Sequence, residues 1–397
     1  MNIFAIITEY NPMHNGHIYQ INSIKKRFPD SMIIILMSGS FVQRGEPSFI
    51  NKYSRAFAAV NNGVDLVLEI PTIISLQSAN YFTKYSIKLL NKLNILSFLS
   101  FGIEESDISG FLNSFNLYWQ NRHAISKIQK EYILKGNSYK ISFNKALSEF
   151  VKNSQSLSNP NNTLGFGYLK ALREFDSDII PLPVTRSDDG YHKKNISENI
   201  FQSATAIRTA VENSVDVSCF VPPDINISLK NDFLHSIDDY SSIFYQLAFV
   251  DNKAAENIAG YENGMLNLLK SNFSSNLSDM VEKSHNKRYS ISRLRRFLMN
   301  YILDIDREKI SLLDSINYIR PIAFNDNGAK ILNLIKDKSD VEIINKPRDL
   351  TKLDEPNRKL FELDLKAYRL YNLKTPIENQ RDFTNNPYNR MELQKGE

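Results

Sequence analysis

Cysteine is almost absent from this 397-residue chain: Cys219 stands alone, so no disulfide can close within it and zinc sites built on cysteine are excluded. A reducing, cytoplasmic setting is the matching expectation. No apolar run approaches the ~18 residues that a membrane-spanning helix needs. Ile33-Ile34-Ile35-Leu36-Met37 is far shorter and suits a buried strand. The chain opens directly on a strand-like run, Ile3–Ile7, without the basic and long apolar segments of a secretory leader, so none is expected. Internal repeats and low-complexity tracts are also missing. Charge of one sign is not extreme: a net +4 permits a nucleic-acid partner but does not demand one. What remains is a globular composition, 42% hydrophobic and 23% charged, enough for one large domain or two ordinary ones.

Five β-rich apolar runs punctuate the first half: Ile3–Ile7, Met32–Met37, Asp65–Ile70, Ile95–Phe101 and Ile179–Val184. Helical patterns separate most of them, over 17–28, 53–61 and 82–93. Strands alternating with helices predict βαβ units and a parallel, Rossmann-like α/β sheet covered on both faces. Residues 105–158 turn helical and polar and are expected to form an insertion. Val221-Pro222-Pro223-Asp224 is the expected domain break, with two prolines starting an extended link. The division is therefore 1–220 for the α/β domain and 221–397 for a mainly helical domain. Helices are expected over 239–252, 254–272, 276–283, 292–303 and 329–335, and a loose tail from Thr375 on.

Between the first strand and the first helix lies Asn11-Pro12-Met13-His14-Asn15-Gly16-His17. Gly16 lets backbone approach a ligand. His14 and His17, three residues apart at a helix start, can face one point that also sees the helix N-terminus, an anion site. Imidazoles there can follow charge as it builds on a leaving pyrophosphate. His-x-Gly-His is expected by chance only about 0.003 times in a chain of this composition. The bland alternatives are a pair of helix caps or a metal pair. Far downstream, Ser203-Ala204-Thr205-Ala206-Ile207-Arg208 opens another helical pattern. Hydroxyl caps and an arginine one turn in make a second anion clamp.

These two motifs resemble those of the HIGH-motif nucleotidyltransferase superfamily. The likeness extends to Glu9–His17, Met37–Pro47 (MSGSFVQRGEP), Asp65–Pro71, Phe101-Gly102-Ile103-Glu104 and Pro160–Gly165. Together they resemble the bacterial tRNA(Met) cytidine acetate ligase family, with weaker likeness at Lys287-Arg288-Tyr289 and Phe324–Gly328. Met13 stands where that family is expected to have a bulkier aromatic. The resemblance implies ATP-dependent activation of acetate to acetyladenylate. Acetyl transfer to N4 of the wobble cytidine of elongator tRNA(Met) follows, with AMP and diphosphate released. It implies ATP contacts along Thr8, Glu9, Tyr10, Asn11, Pro12, Met13, His14, Asn15, Gly16, His17, Ile18, Tyr19, Gln20 and Ile21. Gly102, Asn161 and Arg186 are further implied contacts, with Asn161 preferred over Asn162. Ser203 and Thr205 belong to the same nucleotide site, and His14, His17 and Arg208 are the expected catalytic groups.

Acetate is already an anion at neutral pH, so its activation needs positioning and relief of charge repulsion rather than a base. Mg²⁺ is expected to bridge phosphate oxygens, although no dedicated carboxylate cluster for a metal is visible. Gln43 and Arg44, in a loop after the second strand, are candidates for acetate or the cytosine edge. Lys283, Lys287, Arg288, Arg293, Arg295 and Arg296 crowd into fourteen residues with Tyr289 among them, a candidate tRNA contact against the alternative of a solvated helix face. Arg186, His192, Lys193 and Lys194 extend it. A small-molecule adenylyltransferase is the competing enzymatic reading, and an RNA-binding regulator with a vestigial nucleotide site the non-enzymatic one. Oligomeric state has no signature in the sequence.

Overall fold

The computed structural model describes residues 2–137, 139–151, 157, 159–185, 202–232, 234–244, 252–375 and 382–383. Its centre is a six-stranded sheet. Strands β1 (Ile3–Thr8), β2 (Met32–Ser38), β5 (Leu66–Ile70), β6 (Phe98–Ile103), β7 (Ile180–Thr185) and β9 (Pro321–Phe324) lie in the order β7-β6-β1-β2-β5-β9. The first five pair in parallel and β9 adds antiparallel to β5 at the edge. Four short strands, β3 (Phe41–Val42) with β4 (Glu46–Pro47), and β8 (Tyr318–Ile319) with β10 (Glu342–Ile343), make two small ladders.

The apolar runs become strands buried on both faces, as a sheet covered by helices on each side requires. Alternation along each strand feeds two cores: Ala5, Ile34 and Leu68 face one, Phe4, Ile35 and Val67 the other. The helices between strands are α1 (Asn15–Arg27), α2 (Lys52–Asn61), α3 (Thr72–Ser75) and α4 (Ala79–Lys92). The insertion is a helical pair, α5 (Ile108–Leu134) and α6 (Tyr139–Ser148), followed by α7 (Pro160–Glu174). Phe115 and Tyr118 of α5 pack on Phe166 of α7, ring centroids 5.2 and 4.9 Å apart, which fixes the insertion beside the sheet.

After α8 (Ala204–Glu212) the structure departs from the expected organisation. Pro222-Pro223 does not begin an extended link. Pro223 takes the first position of α9 (Pro223–Asn231), where its missing N–H is no loss, and α9 packs on α2. The second half is mainly helical, and its short strand β9 completes the main sheet. The Phe324–Gly328 motif is its anchor. The Asn325 side chain caps the following helix, both Asn325 and Asn327 donate to Asp65, and a Cβ on Gly328 would lie 2.1 Å from the Asp65 carbonyl oxygen. The single helix expected over 254–272 is broken, since Gly260 and Gly264 both hold positive φ; only Asn252–Ala255 and Met265–Ser271 are helical. The helices Leu277–Ser284, Ile291–Leu303 and Asp326–Lys338 lie where helical periodicity predicts them, and Glu355–Tyr371 adds a long one. Part of the 239–252 expectation lies outside the described residues.

Of the tail, Asp382 and Phe383 are seated rather than loose. Asp382 pairs with Lys52 at 3.2 Å and Arg320 at 2.7 Å, and its neighbour's ring stacks on Phe361. Among the described residues no helix is long and apolar enough to cross a membrane.

Candidate active site

Strand order reverses beside β1: β2 and β5 follow on one side, β6 and β7 on the other. Ligands of such sheets bind at this switch point, beyond the strand C-termini. A cleft of about 740 Å³, open mouth included, lies there. Thr8 closes β1 against it, Gly102 comes from β6 and Thr185 from β7, with Gly16, His17 and Gln20 from α1 and Asn161 from α7.

Helix α1 starts on a reciprocal cap. His14 is the N-cap residue, and its Nδ1 accepts from the Gly16 N–H at 3.1 Å. His17 returns the bond, its Nδ1 accepting from the His14 N–H at 3.2 Å. The histidines are therefore reciprocal caps of α1. A neutral imidazole that accepts at Nδ1 carries its proton at Nε2, so the donor of each ring lies on its far side. The two rings stack at 3.8 Å, and Tyr10, held at φ 45°, lies 4.5 Å from the His17 ring. No acidic residue sits in the first turn of α1, which leaves its positive end for an external anion.

The second motif converges on the first. Ser203 caps α8 through the Ala206 N–H at 3.1 Å, and the Arg208 guanidinium crosses to the histidine loop, where Nη1 donates to the Asn11 carbonyl at 2.7 Å. Its other amino group faces Thr205 Oγ1 at 3.4 Å and the Glu46 carboxylate at 3.5 Å. Arg55, fully buried on α2, donates to the carbonyls of Glu9, Ser38 and Gly39 and so ties the ends of β1 and β2 together. Burial brings its guanidinium down to about 10. The Glu9 carboxylate accepts from the Gln43 N–H at 2.7 Å, and burial pushes its pKa up against the pull of Arg44.

Not all expected contacts share the cleft. Tyr10 and Met13, in the loop before α1, and Ile21 are core residues and Ile18 packs on that core; on α1 this follows because a helix shows a ligand only one face. Asn161 and Asn162 divide the work. Asn161 lines the cleft and donates to Glu104 at 2.7 Å; Asn162 is fully buried and accepts from the Glu104 N–H at 2.8 Å. Gln43 points its amide at the Gln77 carbonyl, 3.3 Å away. Arg186, His192, Lys193 and Lys194 lie outside the described residues. Sequence reasoning gave no role to Tyr168 and Thr185 in the cleft, to Phe101 there although its motif was quoted, to Arg55 that holds Glu9, or to Glu46 that meets Arg208. Phe101 and Glu46 stood within quoted motifs without a role; Tyr168, Thr185 and Arg55 carried no signal.

The basic segment is less free than its sequence suggests. Tyr289 is 4% exposed, donates its hydroxyl to the Asn263 carbonyl, and lies beneath Arg288 and Arg293, so it offers no face to a base. Arg288 and Arg293 both pair with Glu262, Lys283 with Asp279, and Arg295 with Glu46. Burial draws Arg296 down to about 10, and it donates to the Gln43 carbonyl. Lys287 is exposed.

A parallel sheet with its cleft at the switch point, a histidine-capped helix N-terminus and an arginine clamp define a nucleotidyltransferase-type α/β protein. The chain belongs to the HIGH nucleotidyl transferase family, whose model matches residues 1–386, and within it to the tRNA(Met) cytidine acetate ligases. It is 32% identical to the tRNA(Met) cytidine acetate ligase of Thermosipho africanus over 96% of this chain and 97% of that one. With that of Clostridium novyi the identity is 33%, over 98% and 99%. The fold matches Thermotoga maritima TmcAL with a TM-score of 0.90 and 24% identity over 98% of this chain and 99% of that one. A second crystal form of TmcAL, bound with alpha-thio ATP, matches with a TM-score of 0.88.

Proposed function

We infer that this chain is a tRNA(Met) cytidine acetate ligase. It activates acetate with ATP and transfers the acetyl group to N4 of the wobble cytidine of elongator tRNA(Met). The observation that carries the reading is the convergence of Arg208 on the Asn11 carbonyl of the loop that leads into the histidine-capped start of α1. Full-length likeness to ligases of that name supports the substrates.

In the first step an acetate oxygen attacks the α-phosphorus of ATP, the bond to the bridging oxygen breaks, and diphosphate leaves. Charge moves onto the leaving group, which the Nε2–H donors of His14 and His17, the N-terminus of α1 and Arg208 are suited to hold. In the second step the cytosine N4 attacks the acetyl carbon, the bond to AMP breaks, and N4 gives up a proton. Among the described residues no group of three or more acidic, histidine or cysteine side chains could hold a metal. Mg²⁺ thus enters our reading only as a companion of the triphosphate, bound by phosphate oxygens and water. The basic segment 283–296 is the proposed tRNA contact and the cytoplasm the proposed setting.

Diphosphate release tests this. Release that depends on acetate without RNA, and acetylated transcript once tRNA(Met) is added, is the expected result. Turnover only with a mononucleotide acceptor would point to a small-molecule adenylyltransferase, and none under any condition would refute an enzymatic role.

A further inference from the structure

The loop between β3 and β4, Gln43-Arg44-Gly45, and Glu46 at the start of β4 lie between Glu9, just past the end of β1, and the helix Ile291–Leu303 that carries Arg293, Arg295 and Arg296. Gly45 has φ +76°, and a Cβ there would lie 2.3 Å from the Arg296 backbone nitrogen. Arg296 Nη1 donates to the Gln43 carbonyl at 3.2 Å, and the Gln43 N–H donates to Glu9 at the end of β1. Here the Glu46 carboxylate meets two guanidiniums from opposite sides. Oε1 faces Arg208 at 3.5 Å, and Oε2 accepts from Arg295.

We propose that Glu46 is a positioning residue that links the nucleotide clamp to the RNA-binding helix, so that filling either site changes the other. One carboxylate serves two cations here, with side chains only 16%, 17% and 23% exposed for Glu46, Arg208 and Arg295, where salt screens weakly. Its closer contact is to Arg295 and its looser one to Arg208. An RNA phosphate that draws Arg295 away releases the carboxylate toward Arg208. A nucleotide phosphate that draws Arg208 away releases it toward Arg295. Arg208 responds because its other edge is pinned on Asn11. Linkage of this kind is reciprocal. The inference rests on the acetate-activating, tRNA-binding reading above.

Exchange of labelled diphosphate into ATP in the presence of acetate reads the first step alone. The RNA probe is a tRNA(Met) transcript with uridine at the wobble position, which binds without accepting acetyl. In the wild type, saturating transcript is expected to shift the apparent KM for ATP by about fivefold or more. Glu46→Gln is expected to remove that shift, and Glu46→Asp to keep part of it. Arg295→Gln cuts the link from the other end and is expected to remove the shift too, which decides the matter should the Glu46 variants not fold. A wild-type-sized shift in the folded variants, or none in a wild type whose exchange is intact, overturns the link. A wild type without acetate-dependent exchange overturns the function reading and the link with it.

Discussion

His14 and His17 stack ring on ring at 3.8 Å, each spending Nδ1 on a backbone N–H of the same helix start. Capping and the proposed chemistry thus fall on opposite nitrogens of each ring and are separable by mutation. Asparagine is among the best N-caps and has an acceptor near the Nδ1 position but no donor at Nε2. His14→Asn is expected to keep the unfolding midpoint while adenylate formation falls by roughly a hundredfold. His14→Ala is expected to lose the cap as well, costing about 1 kcal/mol of stability. Thermal unfolding beside diphosphate exchange checks both, and near-normal exchange in His14→Asn would end the proposed role.

Gly45 offers a sharper stability test. Its φ of +76° disfavours any side chain, and the Arg296 backbone fills the space a methyl would need. Gly45→Ala is expected to destabilise the protein by about 1–3 kcal/mol in urea unfolding and to lower acetylation of tRNA further than the loss of folded protein explains. Full stability in the alanine variant would show that the loop does not sit against the helix.

A buried ionic cluster gives the pH dependence a sign. Asp364 accepts from the Thr72 N–H at 2.6 Å and from the Tyr318 hydroxyl at 2.9 Å. Burial, helped by the nearby Glu69 charge, raises its carboxyl to about 7. The folded state then binds this proton more tightly than the unfolded chain, so the group withdraws stability as pH rises from about 4 to 7 and no further above that. Asp364→Asn is expected to remove this loss. Relative to wild type it should gain on the order of a few kcal/mol between pH 4 and 7. Urea unfolding at several pH values measures the difference, and a difference constant with pH would show that Asp364 stays ionised in the folded protein.

Strand positions were legible because a parallel sheet buried on both faces leaves near-continuous apolar runs such as Ile33–Met37. The histidine motif was legible because its spacing and its place after β1 are rarely met by chance. Strand β9 was not, since Pro321–Phe324 is four residues long and its partner β5 lies some 250 residues earlier. Arg55 gave no signal, because its role is to collect four carbonyls that the fold brings together. Tyr289 misled for a related reason: an aromatic amid arginines reads as a stacking platform, whereas here the protein's own guanidiniums and the Asn263 carbonyl occupy it.

Glu262 lies between Arg288 and Arg293 and pairs with both, so the basic segment holds an internal competitor for any phosphate. The pairs are half exposed, the regime in which an ion pair contributes little to stability. Removing the acid should therefore cost little fold and release two guanidiniums. Glu262→Gln is expected to tighten tRNA binding and to steepen the dependence of log K on log salt by about 0.9 for each additional phosphate engaged. Lys287→Ala with Arg288→Ala should do the reverse, weakening binding and flattening the slope by about one or more, while acetyladenylate forms at the wild-type rate. Filter binding of a tRNA(Met) transcript across a salt series reads both. If Glu262→Gln leaves affinity and slope where they were, RNA does not meet these arginines and the segment is a solvated helix face.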